Sequence, residues 1–222
     1  SMKVIVFGAT GMVGQGVLIE CLRDGGVTHV LTVGRSATGR QDPKLREITH
    51  PDFFDFSAIE TDITGYDACF FCLGVSSIGM DEERYRRLTY DITLAAAKPL
   101  ARLNPGMTFV YVTGAGADST EQGRVMWARV KGKTENDLLK LPFKAAYMFR
   151  PGAIQPLHGV RSKTAWVQGI YVVTAPLLSF LHRVAPNYVT TTEEVGRAML
   201  SVARHGYPRP VLEMADIHKA GA

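Results

Sequence analysis

Three glycines near the amino terminus have the spacing of a phosphate-binding loop. Gly8, Gly11 and Gly14 follow the apolar run Val4–Phe7 and precede a helical pattern of apolar residues. The first glycine permits a tight turn, the second lets a pyrophosphate approach the backbone, and the third lets the helix pack near the strand. The helix dipole and the free N–H groups then attract phosphate. The pattern predicts a dinucleotide-binding loop, with a packing turn as the alternative. The other predicted contacts in the loop are Thr10, Met12 and Val13.

The end of the next predicted strand bears on which dinucleotide binds. The strand His29–Val33 is followed by Gly34, Arg35 and Ser36. Folds that prefer NAD usually place an acidic residue here for the ribose 2′-hydroxyl, whereas an arginine pairs with the 2′-phosphate of NADP. Arg35, with Ser36 beside it, therefore favours NADP over NAD. The alternative is that Arg35 is exposed and does not affect the choice of cofactor.

Strand and helix patterns alternate along most of the remaining chain, which predicts an α/β fold: a Rossmann-type, doubly wound parallel sheet. The further predicted strands are Leu45–Thr49, Ala68–Leu73, Met107–Val112, Ala145–Phe149 and Val211–Met214. The further predicted helices are Asp81–Leu103, Thr120–Leu141 and one from Thr190–Thr192 through Ala203. Ligands of such sheets lie at the carboxyl ends of the strands, so Leu73, Gly74 and Val75 are predicted to pass beneath the cofactor.

Composition is that of one ordinary globular domain covering 1–222. The chain is 46% hydrophobic and 21% charged, and its formal charge is only +4, with basic and acidic residues mixed. This balance argues against nucleic-acid binding. The six histidines are scattered without ligand spacing, so no metal site is predicted. Cys69 and Cys72 form a C-x-x-C pair within a predicted strand, where their side chains should point to opposite faces. A redox or zinc role is therefore rejected.

A long apolar segment sets the last third of the chain apart. The run Ala165–Leu181 follows Arg161 and Lys163 and is interrupted by Gly169 and Pro176. A bilayer span needs about 20 predominantly apolar residues, so this run is short and broken for one. Three alternatives stay open: a helix over the substrate cleft or at a homodimer contact, peripheral membrane attachment, and a true span. We favour the first, within a substrate-binding or lid region of residues 153–192.

The ordered motifs of this chain resemble those of short-chain dehydrogenase/reductases, and more narrowly the atypical, epimerase-like branch that includes NmrA-like and Tat-interacting-protein-like members. The resemblance covers about residues 3 to 215. It is carried by Gly8–Gly14, Val33–Arg35, Cys72–Gly74, Val112–Asp118, Val130–Glu135 and Phe149–Gly152. It implies NAD(P) across the carboxyl edge of the sheet and substrate beneath the C-terminal third. It also implies that Asp55 holds the adenine amino group.

The resemblance weakens at the catalytic residues. Active members of the family carry a tyrosine acid/base one helical turn before a lysine, and a serine after the preceding strand. Here Lys131 is present, but Trp127 stands at the tyrosine position and Thr113 in the serine region. An indole N–H has no useful acidity at neutral pH. Lys131 is then expected to bind the nicotinamide ribose, the alternative being a surface helix lysine. Thr113 and Lys131 are the catalytic candidates.

Two functions are compatible with these residues. The first is an NADP-dependent oxidoreductase or epimerase-like enzyme that takes its proton from water or from another acid, with Tyr111, Tyr85 and His158 as candidates. The second is a catalytically degenerate protein that senses NADP(H) or regulates a partner. The substrate is not identified beyond an apolar small molecule. Without a secretory signal, and with an odd number of cysteines, the chain is expected to be cytoplasmic.

Overall fold

The computed structural model describes all residues, 1–222, and is built on one seven-stranded sheet. Every neighbouring pair in this sheet is parallel. Its strands are β1 (Met2–Phe7), β2 (Val27–Gly34), β3 (Leu45–Thr49), β4 (Ala68–Phe71), β5 (Thr108–Val112), β6 (Ala145–Phe149) and β9 (Val211–Leu212). Their spatial order is β3-β2-β1-β4-β5-β6-β9. The predicted doubly wound α/β fold is confirmed. The order reverses direction between β1 and β4, where such sheets bind ligands.

Helices cover both faces of the sheet. They are α1 (Met12–Arg23), α2 (Glu82–Arg86), α3 (Ile92–Leu103), α4 (Met126–Leu139), α5 (Ala165–Val184), α6 (Thr192–His205) and α7 (Met214–Gly221). Successive strand residues point to opposite faces of the sheet, so each strand contributes side chains to two hydrophobic cores. Cys69 lies in the core beneath α3 and α4, and Cys72 packs against the core beneath α1 and α6. The two thiols are therefore on opposite faces, as their offset in the sequence predicts.

Helix α4 begins later than its sequence pattern predicts. The chain from Thr120 to Val125 forms a loop, because the Asp118 carboxylate accepts hydrogen bonds from Thr120 N at 2.9 Å and from Gly123 N at 2.7 Å. A side chain that binds nearby backbone donors competes with the helix for them. The prediction of a helix from Thr120 is wrong for this reason, and the first turn of α4 starts at Met126.

The predicted helix Asp81–Leu103 is present but is not uniform. Asp81 caps α2 through a bond from Arg84 N at 2.8 Å. A π-helical turn, Arg87–Asp91, then joins α2 to α3. Pro99 lies inside α3, which continues to Leu103.

The C-terminal third contains elements that no local pattern predicts. A second, two-stranded parallel sheet joins β7 (Ala153–Gln155) to β8 (Val189–Thr191) across α5. The predicted strand Val211–Met214 is only two residues long, and α7 follows it. The start of α6 is as predicted: the Thr191 hydroxyl accepts a bond from Glu194 N at 3.0 Å. The apolar run forms α5, none of whose residues is buried.

Gly132 on α4 is a position where stability should depend on the absence of a side chain. A Cβ there would lie 1.7 Å from the carbonyl oxygen of Asp118. We expect Gly132→Ala to lower the free energy of unfolding by about 2 kcal/mol, the usual scale of overpacking. Denaturant unfolding measures it. Gly25→Ala, where a Cβ meets nothing within 4 Å, is the control and should change stability by less than about 0.5 kcal/mol. Equal stability of the two variants would contradict the close packing of α4.

Candidate cofactor and catalytic site

The loop between β1 and α1 presents backbone donors at the sheet edge. Gly8 has φ +78°, and a Cβ at Gly14 would lie 1.9 Å from Gly8 O. Glycine is therefore required at both positions. Gly11 caps α1 without any side-chain hydrogen bond to the first turn. The first N–H groups of α1 are thus left for a ligand, as in other phosphate-binding helix ends.

A cavity opens beside this loop at the carboxyl ends of β1, β2 and β4. It is lined by Gly8, Ala9, Thr10, Thr32, Val33, Gly34, Arg35, Ser36, Thr38, Phe53, Leu73, Gly74, Val75 and Lys163. The predicted cofactor residues from all three strand ends therefore lie around one space. The exposed Arg35 guanidinium lies 5.4 Å from the centre of the Phe53 ring, a cation–π contact that orients it.

Some predicted cofactor residues lie outside this lining. Gly11, Met12, Val13 and Gly14 form the helical side of the loop. Asp55 is exposed, and its carboxylate accepts a bond from Ser57 N at 2.9 Å. Its predicted contact with adenine stays a prediction. Lys131 is also outside the lining, but its Nζ lies 4.0 Å from the ideal Cβ position of Gly74, which lines the cavity.

Two polar features of the cavity were not apparent from the sequence. Lys163 donates from Nζ to Thr10 Oγ1 at 2.8 Å, which places a second cation at the phosphate loop. Glu47 on β3 accepts bonds from Thr32 Oγ1 and Thr38 N, both at 2.9 Å. Thr32 and Thr38 line the cavity together with Arg35, so the Glu47 carboxylate beside them is already engaged by protein donors. Lys163 is far from Thr10 along the chain, and no local spacing signals their contact.

The residues proposed for catalysis lie close together where β5 ends and α4 begins. Trp127 lies over the chain after β5, within 3.5 Å of the ideal Cβ position of Gly116. One turn later, Lys131 is only 8% exposed and donates to Tyr111 Oη at 3.2 Å. The side-chain oxygen of Thr113 is buried and has no partner. A buried hydroxyl without a partner is costly, so a ligand that bonds to Thr113 would relieve that cost.

The three alternative proton donors differ in burial and in position relative to Thr113. Tyr111 is fully buried, and burial raises its pKa. Tyr85 is 2% exposed, and burial raises its pKa as well, although the nearby Lys131 opposes the shift. His158 contacts Glu193 at 2.7 Å and is not among the cavity residues. None of the three presents an accessible acid beside Thr113.

A buried ion pair fixes α4, and with it Trp127 and Lys131, against the sheet. Arg150, at the end of β6, donates to the two carboxylate oxygens of Glu135 at 2.6 and 3.0 Å. Arg150 also bonds to Ser119 Oγ at 2.8 Å and to Glu213 Oε1 at 3.0 Å. The Glu135 side chain is 1% exposed, so breaking the pair would leave a buried charge without a partner.

Comparison with solved structures defines the class of fold. A UDP-N-acetylglucosamine 4-epimerase from Methanobrevibacter ruminantium superposes with a TM-score of 0.71 at 13% identity, over 96% of this chain and 76% of that one. The Bordetella bronchiseptica enzyme WbmF, solved with NAD+, gives 0.68 at 18% identity, over 98% and 76%. A Saccharomyces cerevisiae short-chain dehydrogenase/reductase gives 0.64 at 14%, over 96% of each chain. The fold is that of the short-chain dehydrogenase/reductases and their epimerase-like members.

Sequence comparison places the chain more narrowly. No protein-family profile matches it. "Protein FMP52, mitochondrial" of Debaryomyces hansenii is 30% identical over 172 residues, 76% of this chain and 71% of that protein. FMP52-2 of Scheffersomyces stipitis is 30% identical over 152 residues, 67% of this chain and 65% of that protein. The chain belongs to the FMP52 family.

The names of these relatives correct one expectation. They are described as mitochondrial, so the cytoplasmic location expected from the sequence is wrong. Cysteine number and pairing distinguish reducing from oxidising compartments. They do not distinguish one reducing compartment from another, because targeting depends on signals that receptors recognise.

The buried Lys131 gives a test of the geometry in the first half of α4. Burial lowers its pKa, and the nearby Tyr85 and Glu135 oppose that shift. The folded state therefore holds the lysine proton less tightly than the unfolded state, whose pKa is about 10.4. The buried charge therefore lowers the free energy of unfolding at neutral pH. This loss should disappear as pH rises towards the pKa of the unfolded state.

We expect Lys131→Met to be more stable than the wild type near pH 7 in the absence of ligand, and its advantage to shrink as pH approaches about 10. Urea unfolding at a series of pH values measures the difference. Lys144→Met removes a charge from an exposed lysine and serves as the control. A pH-independent difference between wild type and Lys131→Met would show that Lys131 is not desolvated.

Proposed function

We propose that the chain is an NADP(H)-binding oxidoreductase or epimerase-like enzyme that acts on an apolar small molecule. The observation that carries the proposal is the cavity in which the Gly8 loop, Arg35 and Gly74 meet, with Lys163 at the phosphate end. The mitochondrial names of the relatives support the same location for this chain.

Several parts of the dinucleotide have a complementary group in or beside this cavity. The N-terminus of α1 and the Lys163 ammonium suit the pyrophosphate. Arg35 suits a 2′-phosphate, and Glu47 is occupied by Thr32 and Thr38 instead of facing a ribose hydroxyl. Lys131, whose Nζ is 4.0 Å from the ideal Cβ position of Gly74, would bond to the nicotinamide ribose. The bound cofactor would supply the hydride, and Thr113 would orient the substrate oxygen.

Apolar side chains at the catalytic end support an apolar substrate. Trp127 covers the loop after β5, and Val75 and Ile78 are exposed on the chain that leaves β4. Their surfaces would be shielded from water by a hydrophobic ligand. The proton that accompanies hydride transfer is assigned to water, because Tyr111 and Tyr85 are both buried.

A second candidate function is favoured by Trp127. Loss of a general acid costs about 10² to 10⁴ in rate and leaves cofactor binding intact. A protein with this cavity and without an acid beside Thr113 is suited to sensing NADP(H) or to regulating a partner. The two candidates share the cofactor and differ in whether turnover occurs.

Two substitutions test the choice of cofactor. Arg35→Ala should weaken NADP binding about tenfold or more and leave NAD binding nearly unchanged, because a charge-assisted contact to the 2′-phosphate is lost. Lys163→Ala should weaken both cofactors by similar factors, because both carry the pyrophosphate. Isothermal titration calorimetry measures the four affinities. Equal binding of NADP and NAD that Arg35→Ala does not change would overturn the preference for NADP.

Substitution of Trp127 tests catalysis. Trp127→Tyr places a phenol one turn before Lys131, and we expect it to raise NADPH-dependent reduction of apolar carbonyl compounds by about 10²-fold. Absorbance at the nicotinamide band follows the reaction. Trp127→Phe removes the indole without adding an acid and should give no gain. If both the wild type and Trp127→Tyr bind NADPH but turn over none of the carbonyl compounds, the sensing function is supported.

A further inference from the structure

Three side chains from separate helices meet on the surface formed by the C-terminal third. His182 lies in the last turn of α5, Glu194 in the first turn of α6, and His218 on α7. Their potential ligand atoms all lie within 4.8 Å of one another. We propose that this His–Glu–His cluster binds a divalent transition-metal ion, with Zn²⁺ as the best match to two imidazoles and one carboxylate.

The hydrogen bonds of His218 are suited to metal binding. Its Nε2 lies against the carbonyl oxygen of Pro186, which can only accept, so Nε2 carries a hydrogen. In the neutral ring Nδ1 then has a lone pair, and it faces Glu194 Oε1 at 2.5 Å. Two acceptors at this distance need a proton or a cation between them. A metal-binding histidine usually donates its other N–H to a carbonyl or carboxylate in this way.

Small side-chain rotations would complete the geometry. Ligand atoms around a tetrahedral zinc ion lie about 3.3 Å apart. In the cluster Nδ1 of His218 and Oε1 of Glu194 are 2.5 Å apart, and all three ligand atoms lie within 4.8 Å of one another. Thr190 Oγ1 donates to Glu194 Oε1 at 2.6 Å and orients the carboxylate. The rings of His182 and His218 have centroids 6.0 Å apart. A bound ion would fasten the carboxyl end of α5 to α6 and α7.

Zinc titration of the untagged protein, residues 1–222, tests the site. We expect one Zn²⁺ per chain by calorimetry, little binding of Mg²⁺, and affinity at least about tenfold weaker in His182→Ala and in His218→Ala. His205→Ala, at an exposed histidine on α6, is the control and should bind as the wild type. Co²⁺ titration of the wild type gives a readout that needs no variant, since a four-coordinate site produces visible absorption bands.

The zinc proposal fails if the wild type takes up less than stoichiometric Zn²⁺ or shows no Co²⁺ bands. It also fails if the two histidine variants, shown to be folded by circular dichroism, bind Zn²⁺ as tightly as the wild type.

A different observation carries a second inference, on α5. This helix is the one segment long and apolar enough to cross a membrane, with 20 residues and a mean hydropathy of 1.2. An apolar stripe runs along its solvent side, and Val173 at its centre is 80% exposed. The stripe consists of Trp166, Ile170, Val173, Leu177, Phe180 and Val184. The opposite side of α5 rests on β7 and β8, so the helix lies along the surface of the domain.

The charges around α5 indicate what covers the stripe. From Leu138 to Thr192 the chain has no aspartate or glutamate, and Arg161 and Arg183 are exposed near the two ends of the helix. Glu194 of α6 meets α5 at His182, which is outside the stripe. An apolar helix with basic ends suits a membrane surface that carries anionic lipids. We infer that α5 lies in the interface of such a membrane, parallel to its plane, with the stripe among the lipid chains.

Vesicle sedimentation tests this contact. The wild type should sediment with vesicles of equal phosphatidylglycerol and phosphatidylcholine, and less with pure phosphatidylcholine. Arg183→Gln should weaken partitioning roughly fivefold, the scale of one surface charge. Val173→Asp should abolish sedimentation, and Val125→Asp, at an exposed valine before α4, should not. A wild type that stays in the supernatant, or that is a dimer in solution until Val173→Asp makes it monomeric, would overturn the inference.

Discussion

Gly14 lets α1 begin directly against the backbone of Gly8, at a distance that no side chain would allow. That approach turns the first N–H groups of the helix towards the end of β1. The ends of β2 and β4 flank β1 in the sheet, so Arg35 and Gly74 necessarily border the same space. If the helix stood further away, the positive end of its dipole would not reach this space, and Lys163 would have no Thr10 hydroxyl to bind.

A second close approach fixes the position of Lys131. Gly132 brings α4 against Asp118, and the buried Arg150–Glu135 pair holds it there. Lys131 is thereby directed inward to Tyr111, a strand residue. The resemblance to the family instead pairs the lysine with an acid on its own helix, and here that position holds Trp127. The fold shared with the short-chain dehydrogenase/reductases therefore carries an indole at the position where the resemblance predicts a tyrosine.

The C-terminal third departs most from what local patterns predict. Helix α5 is more exposed than an ordinary apolar helix, and β7 and β8 pair across it. Short parallel strands leave little trace in a sequence, because their partners are far away along the chain and their register depends on the packing of the intervening helix. The loop at Asp118 is a similar case, since side-chain acceptors there take the donors that a helix would use.

The sequence alone determined the order of the strands of the main sheet, the dinucleotide loop, and the opposite orientation of Cys69 and Cys72. Each of these follows from periodicity or from glycine spacing, which act over a few residues. Tertiary structure decided which distant side chains meet: Lys163 with Thr10, Lys131 with Tyr111, and His182 with Glu194 and His218. Such contacts depend on how whole elements cross and pack. No residue spacing predicts these contacts. The separation of two residues in sequence depends on the lengths of the loops and elements between them, whereas their distance in space depends on how those elements pack.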